Sequence, residues 1–365
     1  MLTASLNMSK PQHNPSLTAF RERHKEHGAV FHTFQGGEAV RTYAGQSQSE
    51  REAALEKAAL LELPTRESLA IKGRNAARLL HLVLAQDVQS MSDGESCRSS
   101  VLDRHGKLFL VITIWRKGRD EFLLLCPKGM AAILSQHLKF HEVGERLEHS
   151  ATHTEFTSFF FFGERIAPML GLSDHRQRAE LHELGSVDAW SIPHTAIGTP
   201  IREIIAPLLS TSTLISELQR RGATLVGTEL YNGLRIEAGF PLWGVDGSTE
   251  DFPNEAGFTN TINYSKGCFL GQEIVNRIFQ VGPRSKLMGI RFLNNNPPQP
   301  GQALVLEDGP VIEVSSVEWC PNEKLFGGLA IVPSPIADPG RPLTVLGAPN
   351  EEIGTLCELP FSSQT

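Results

Sequence analysis

No run of about 18 apolar residues occurs in this 365-residue chain, so no membrane-spanning helix is expected. The opening Met1-Leu2-Thr3-Ala4-Ser5-Leu6-Asn7 has no basic stretch leading into an apolar block and does not read as a secretory leader. Cysteine is sparse. The five (Cys97, Cys126, Cys268, Cys320, Cys357) are odd in number and widely spaced, with no Cys-x-x-Cys pair and no zinc pattern. A reduced, cytoplasmic protein without a metal site is the expectation. Positive charge is also short, with 34 Lys and Arg against 41 Asp and Glu and a net charge of −7. That balance argues against a sequence-independent grip on nucleic acid. Gly-x-Gly-x-x-Gly, the P-loop, the Gly-x-Ser-x-Gly elbow and His-Glu-x-x-His are all missing. Their absence removes the commonest nucleotide, hydrolase and zinc-protease readings. No repeat of fixed period is present.

What the chain does have is the composition of a soluble globular protein, 40% hydrophobic and 21% charged, with length enough for two or three domains. Residues 1–48 read as a polar extension with one short helix around Leu17–His27. His24, His27 and His32 there are expected to be solvated, a metal site being the alternative. Ser49–Leu61 is rich in Ala, Glu and Leu and predicts a helix capped by Ser49. Strands are predicted at Ser68–Ile71, Ser99–Leu102, Lys107–Trp115, Glu121–Cys126 and Glu145–His149, with helices over Gly73–Gln86 and Lys128–Leu138. The order reads as β-α-β-β-α-β, a ferredoxin-like unit over 49–150.

A second α/β unit spans 151–285. Phe156–Phe162 predicts a strand buried on both faces. Ile201–Arg221 reads as largely helical, and Thr228–Ala238 as a helix capped by Thr228 and stopped by Gly239 and Pro241. Residues 242–263 read as a long functional loop. From 286 to 365, apolar runs at Lys286–Phe292, Gln302–Leu306, Val311–Val317, Leu325–Val332 and Pro342–Leu346 are split by Pro and Gly, predicting a β-barrel or sandwich.

The most specific segment is Lys266-Gly267-Cys268-Phe269-Leu270-Gly271-Gln272-Glu273. It sets a thiol between a lysine and a predicted helix start, two settings that lower a thiol pKa. Within that helix Ile274 and Ile278 predict a buried face, and Glu273 and Arg277 have ion-pair spacing. On the helix before it, Glu237 lies on an apolar stripe with Leu230 and Leu234. A carboxylate placed there needs donors. A donor-rich heterocycle or an internal pair with Arg235 or Arg277 would supply them.

This motif with Arg277, together with Leu234–Pro241, Ile71–Ala76, Gln86-Asp87-Val88 and Leu102–Phe122, resembles the YgfZ-type folate-binding proteins, relatives of the glycine-cleavage T protein, an aminomethyltransferase. The resemblance covers about residues 50–361. It implies an α+β aminomethyltransferase-like fold, with two ferredoxin-like α/β subdomains and a C-terminal β-barrel around a central channel that holds tetrahydrofolate. It also implies a role in assembly or repair of iron–sulfur enzymes, including ones that modify tRNA. The implied partners are folate and iron–sulfur proteins or their assembly factors, with no direct contact to nucleic acid or membrane. Lys266 and Cys268 become the functional pair. Tyr231, Arg235, Glu237, Gln272, Glu273, Arg277 and Asp87 become the folate contacts. Two departures stand out. Val111 occupies the place of an aspartate found near the folate in aminomethyltransferases, and Ala85-Gln86-Asp87 replaces a Thr-Asn-Asp. A folate-dependent one-carbon transferase and a non-catalytic partner-binding scaffold are the competing expectations.

Overall fold

The computed structural model describes residues 15–361 apart from 145, 153, 173–177, 196, 307–309 and 347, so the leader reading of residues 1–7 falls outside it. The chain opens with α1 (Pro15–Lys25), β1 (Ala29–Phe34), β2 (Gly37–Tyr43), α2 (Gln48–Ala53) and β3 (Ala59–Glu62). Next come β4 (Arg66–Lys72), α3 (Ala76–Val83), β5 (Ser96–Leu102), β6 (Leu108–Gly118), β7 (Glu121–Pro127), α4 (Ala131–Phe140) and β8 (Glu148–Ala151). They are followed by β9 (Phe156–Phe162), α5 (Ile166–Leu170), β10 (Glu180–Leu184), β11 (Val187–Pro193), β12 (Ile201–Pro207), α6 (Thr211–Arg220), β13 (Thr224–Leu225), α7 (Thr228–Glu237) and α8 (Gln272–Val281). The last six strands are β14 (Ser285–Phe292), β15 (Ala303–Leu306), β16 (Val311–Cys320), β17 (Leu325–Pro333), β18 (Pro342–Val345) and β19 (Ala348–Cys357).

The first sheet has the order β5-β6-β7-β4-β8. Its β8-β4-β7-β6 stretch is the split βαβ arrangement, and β5 adds a fifth strand at the edge. One face carries Leu69, Ile71, Ile112, Ile114, Phe122 and Leu124 against α3 and α4. The opposite face, through Ala70, Trp115, Leu123 and Leu125, meets Ile192 and Ile205 of the second sheet. That sheet runs β10-β11-β12-β9-β3-β13. Its β9 is buried on both faces, as its run of phenylalanines requires: Phe159 and Phe161 join one core, Phe160 and Phe162 another. β14 to β19 close into a barrel.

Several elements differ from the sequence reading. The predicted helix over Ser49–Leu61 ends at Ala53, its cap is Ser47 in a capping box with Glu50, and residues 59–62 are the strand β3. Helix propensity there yields to pairing with β9 on one side and β13 on the other. Ile201–Pro207 is likewise a strand, and only residues from Thr211 to Arg220 are helical. The N-terminal stretch is not a bare extension, because β1 and β2 form a hairpin whose Val40 and Tyr43 join Phe20 in the core. Helix α7 starts at Gly227 without a side-chain cap. Thr228 is buried, its hydroxyl 2.6 Å from His32 Nε2.

His24, His27 and His32 do not converge. His24 is fully buried, with Nε2 2.7 Å from Glu62 Oε2 and Nδ1 2.7 Å from the Tyr43 hydroxyl. It pins α1 to β3 and is not the solvated residue expected. Among the described residues no three His, Cys, Asp or Glu side chains gather for a metal, and no helix is long and apolar enough to cross a membrane.

Candidate functional site

The cysteine motif forms a loop that leads into α8. Gly271 opens the helix in the left-handed region at φ 78°, and a Cβ there would lie 2.6 Å from the Asp103 carbonyl oxygen. The tight β5–β6 turn therefore packs directly on the motif. Lys266 and Cys268, expected as a pair, are placed differently. Lys266 is buried, and its ammonium donates to the carbonyls of His81, Leu84 (2.7 Å) and Gln86 (2.9 Å), capping the end of α3. Burial pulls its pKa down to about 8, against the opposing pull of Asp87 and Cys97. Cys268, two residues on, is the only exposed one of the five cysteines. Phe269 turns inward and joins the apolar cluster with Phe258.

On α7 the polar residues serve two different ends. Arg235 is buried, donating to Asp246 Oδ2 (2.8 Å), Asn232 Oδ1 (2.8 Å) and Ser316 Oγ (2.7 Å). Asp246 in turn accepts from Ser315, Ser316 and the Leu242 amide. Glu237 accepts from the Asn322 and Glu323 amides (2.7 and 3.0 Å) and from Asn322 Nδ2 (2.7 Å). Burial still pushes its carboxyl above the usual range. The donors that Glu237 was expected to need are thus the backbone of the β16–β17 turn, and neither Arg235 nor Arg277 pairs with it. Tyr231 looks the other way, with its ring 5.0 Å from that of Phe160.

Behind the same helix, burial, reinforced by the negative charge of Glu229, pushes the partly buried Glu318 up to about 7. Its folded pKa lies above the carboxylate's unfolded value, so the protonated form is the one folding favours. The contribution is present in full below about pH 4 and is lost as pH rises through 7. Glu318→Gln is expected to gain on the order of 1 kcal/mol at pH 8 and nothing at pH 4, flattening stability against pH. Urea midpoints at the two pH values check this, and equal gains at both would refute it.

The rest of the expected set is dispersed. Glu273 and Arg277 are exposed and make no ion pair among the described residues, and Gln272 is partly exposed. Of α8 only Val275 is buried, so the face expected from Ile274 and Ile278 stays half open. Both isoleucines line a groove with Phe252, Glu255, Arg277 and Arg284. Asp87 lies 3.0 Å from His81 Nδ1. Desolvation opposes its ionisation, but hydrogen bonds from Ser90 and the charges of His81 and Lys266 hold its carboxyl below the usual range. Val111 is sealed among Leu102, Leu108, Ala256, Phe258 and Phe269, with no acid in its place.

Charges that the sequence reading missed meet where the two sheets face one another. Arg66 forks onto Glu203 at 3.0 and 2.8 Å. Arg98 lies across from Thr113 in the β5–β6 register, its guanidinium carbon 3.9 Å from the Phe240 ring centre. It donates to the Pro241 carbonyl at 2.7 Å, while its Nη1 is buried with no partner among the described residues. On the same face of β6 the Trp115 indole N–H is also unpaired. Burial first of all pulls Arg98 down to about 9, with Arg66 and Arg235 adding to it and Tyr231 and Asp246 opposing. Burial takes His194 to about 4, so it is neutral at pH 7. Arg98 and His194 each keep some accessible surface. The signal was present in the sequence: Ser96, Arg98 and Ser100 fall on one face of a strand, and Glu203 interrupts an otherwise apolar one.

The fold is that of a glycine cleavage system aminomethyltransferase T from Bartonella henselae, matched at a TM-score of 0.83 and 22% identity over 94% of this chain and 97% of that one. The GCVT N-terminal domain family matches residues 20–161. An aminomethyltransferase of Rubrobacter xylanophilus is 26% identical over 325 residues, covering 87% of each chain. One of Thermoanaerobacter pseudethanolicus is 21% identical over 310 residues, covering 82% of this chain and 84% of its own. A putative chloroplastic transferase of Arabidopsis thaliana is 24% identical, covering 80% of this chain and 68% of its own. Together these support the GcvT-like superfamily.

Proposed function

We propose that this protein is a cytoplasmic, tetrahydrofolate-binding accessory factor of the YgfZ type, supporting assembly or repair of iron–sulfur enzymes through the thiol of Cys268. The observation that carries the reading is the contrast between Cys268 and Val111. The motif's thiol is on the surface, where a partner can reach it. The place of the acid that one-carbon transfer would use is filled by a buried valine. Unpaired buried donors on Arg98 and Trp115, with the Phe240 ring beside the guanidinium, suit a flat ligand rich in acceptors, as a folate is. Bound folate supplies a carrier for a one-carbon unit. Arg98 holds it, while Arg235 and Glu237 give support by fixing α7 to the barrel. A single cysteine cannot hold a cluster alone, so any cluster contact at Cys268 is shared with a partner.

The names of the relatives favour a second reading, a folate-dependent aminomethyltransferase. It requires Asp87 to supply the missing acid–base group, since Glu237 is fully engaged. Turnover of methylene-tetrahydrofolate with an amine donor would select it.

Tetrahydrofolate at 100 times its dissociation constant is expected to add about 2.7 kcal/mol of stability, read as a raised melting temperature. Cys268→Ser is expected to keep that shift and lose the support of iron–sulfur enzyme activity in a deletion strain. Absence of any shift at millimolar folate refutes the folate site. A Cys268→Ser variant that sustains those enzymes as well as the wild type refutes the role of the thiol.

A further inference from the structure

We infer that Arg98 recognises an anionic oxygen on a ligand bound beside the Phe240 ring, so that the site favours a negatively charged aromatic ligand over a neutral one. The inference rests on the folate reading above and narrows it. Three arginines reach the region where the sheets meet, but only two have a carboxylate. Arg66 is paired with Glu203 and Arg235 with Asp246. Among the described residues Arg98 forms no ion pair. Asp246, the carboxylate whose charge acts on it, already takes hydrogen bonds from Arg235, Ser315 and Ser316. His194 is neutral and brings no compensation.

Arg98 is therefore a deeply enclosed cation with no carboxylate bonded to it. An unpaired buried charge is costly. Local contacts ease the cost without removing it: one hydrogen bond to the Pro241 carbonyl and the faces of Phe240 and Phe258, 3.9 and 5.2 Å from the guanidinium carbon. None of these is an anion, and Nη1 is left with no acceptor. An arginine held rigidly over an aromatic face, with an open donor, presents the geometry that binds a carboxylate or other anionic oxygen beside a flat ring. The strand supports the assignment. Arg98 lies between Ser96 and Ser100 on the inward face of β5, where nothing in the sheet itself calls for a cation.

The experiment compares wild type, Arg98→Lys and Arg98→Met in binding tetrahydrofolate, which carries carboxylates, and 6-methyltetrahydropterin, which carries none. Ligand-free melts are recorded alongside. Arg98→Met is expected to weaken tetrahydrofolate about tenfold or more while leaving the neutral pterin within twofold, and Arg98→Lys to restore part of the loss. Without ligand, Arg98→Met is expected to melt no lower than the wild type, since it removes an uncompensated charge. Equal weakening of both ligands overturns the inference and makes Arg98 a wall of the site. If the wild type binds neither ligand, the folate reading fails separately. The ligand-free melts then decide: an Arg98→Met variant that melts well below the wild type shows a guanidinium already satisfied by the protein and overturns the inference, whereas one that melts at or above it upholds the uncompensated cation.

Discussion

Asp246→Ala is expected to lose about 3–5 kcal/mol of stability, because it strands the buried guanidinium of Arg235. Both residues lie almost wholly inside the protein, with side chains 3% and 0% exposed. The aspartate also takes the hydroxyls of Ser315 and Ser316 and the Leu242 amide, and its removal orphans the last two of these, Ser315 keeping the Leu329 carbonyl. Asp246→Asn should cost less, since its amide oxygen still accepts from one serine. Urea unfolding at pH 7 measures both. A loss below 1 kcal/mol for the alanine variant would mean that α7, the loop after it and the barrel are not joined through this residue.

Gly233→Ala is expected to cost at least ~3 kcal/mol, with the sign opposite to helix propensity. In the interior of an exposed helix, alanine gains close to 1 kcal/mol over glycine. Here a Cβ would sit 2.1 Å from the Trp319 carbonyl oxygen and 2.9 Å from Pro321 Cδ. The first obstacle is backbone and cannot swing aside, so α7 must lift off β16. That motion would also pull Glu237 away from the Asn322 and Glu323 amides. A variant as stable as the wild type in urea would show that the helix and the barrel do not approach so closely. The same reasoning bears on Glu237→Ala, where a lost folate response would be hard to separate from damage to the barrel contact.

Much of this architecture was legible from periodicity. The Phe156–Phe162 run, the β5–β6 hairpin and five of the six barrel strands stand close to where apolar spacing puts them. β3 was not legible, because Ala58-Ala59-Leu60-Leu61-Glu62-Leu63 favours a helix on its own. It becomes a strand only because distant partners lie on both its edges. β12 is a different case: Ile201, Ile204 and Ile205 carried β-branched evidence that the reading as a helix overrode. β19 was missed because Asn350-Glu351-Glu352 interrupts any apolar run. In the site region, the argument that Glu237 must meet donors was sound, but no local pattern could name a barrel turn some 85 residues ahead as their source. The motif identified Lys266 and Cys268 together, whereas which of them faces water depends on how the loop seats on the end of α3.

The position of β3 has a consequence for how the molecule is made. The whole first sheet, β4 to β8, lies in the chain between β3 and β9, and these two strands are neighbours in the second sheet. As the chain leaves the ribosome, the first sheet can close on itself by residue 151. β3 must wait through that interval for β9, and then longer for β13, its parallel partner at Thr224 and Leu225. Until then Leu60 and Leu61 have no sheet to enter, and the N-terminal hairpin has only part of its core to pack on. One α/β unit thus matures inside the loop of another, and the outer unit is the slower to form and the more exposed to wrong pairing while it does.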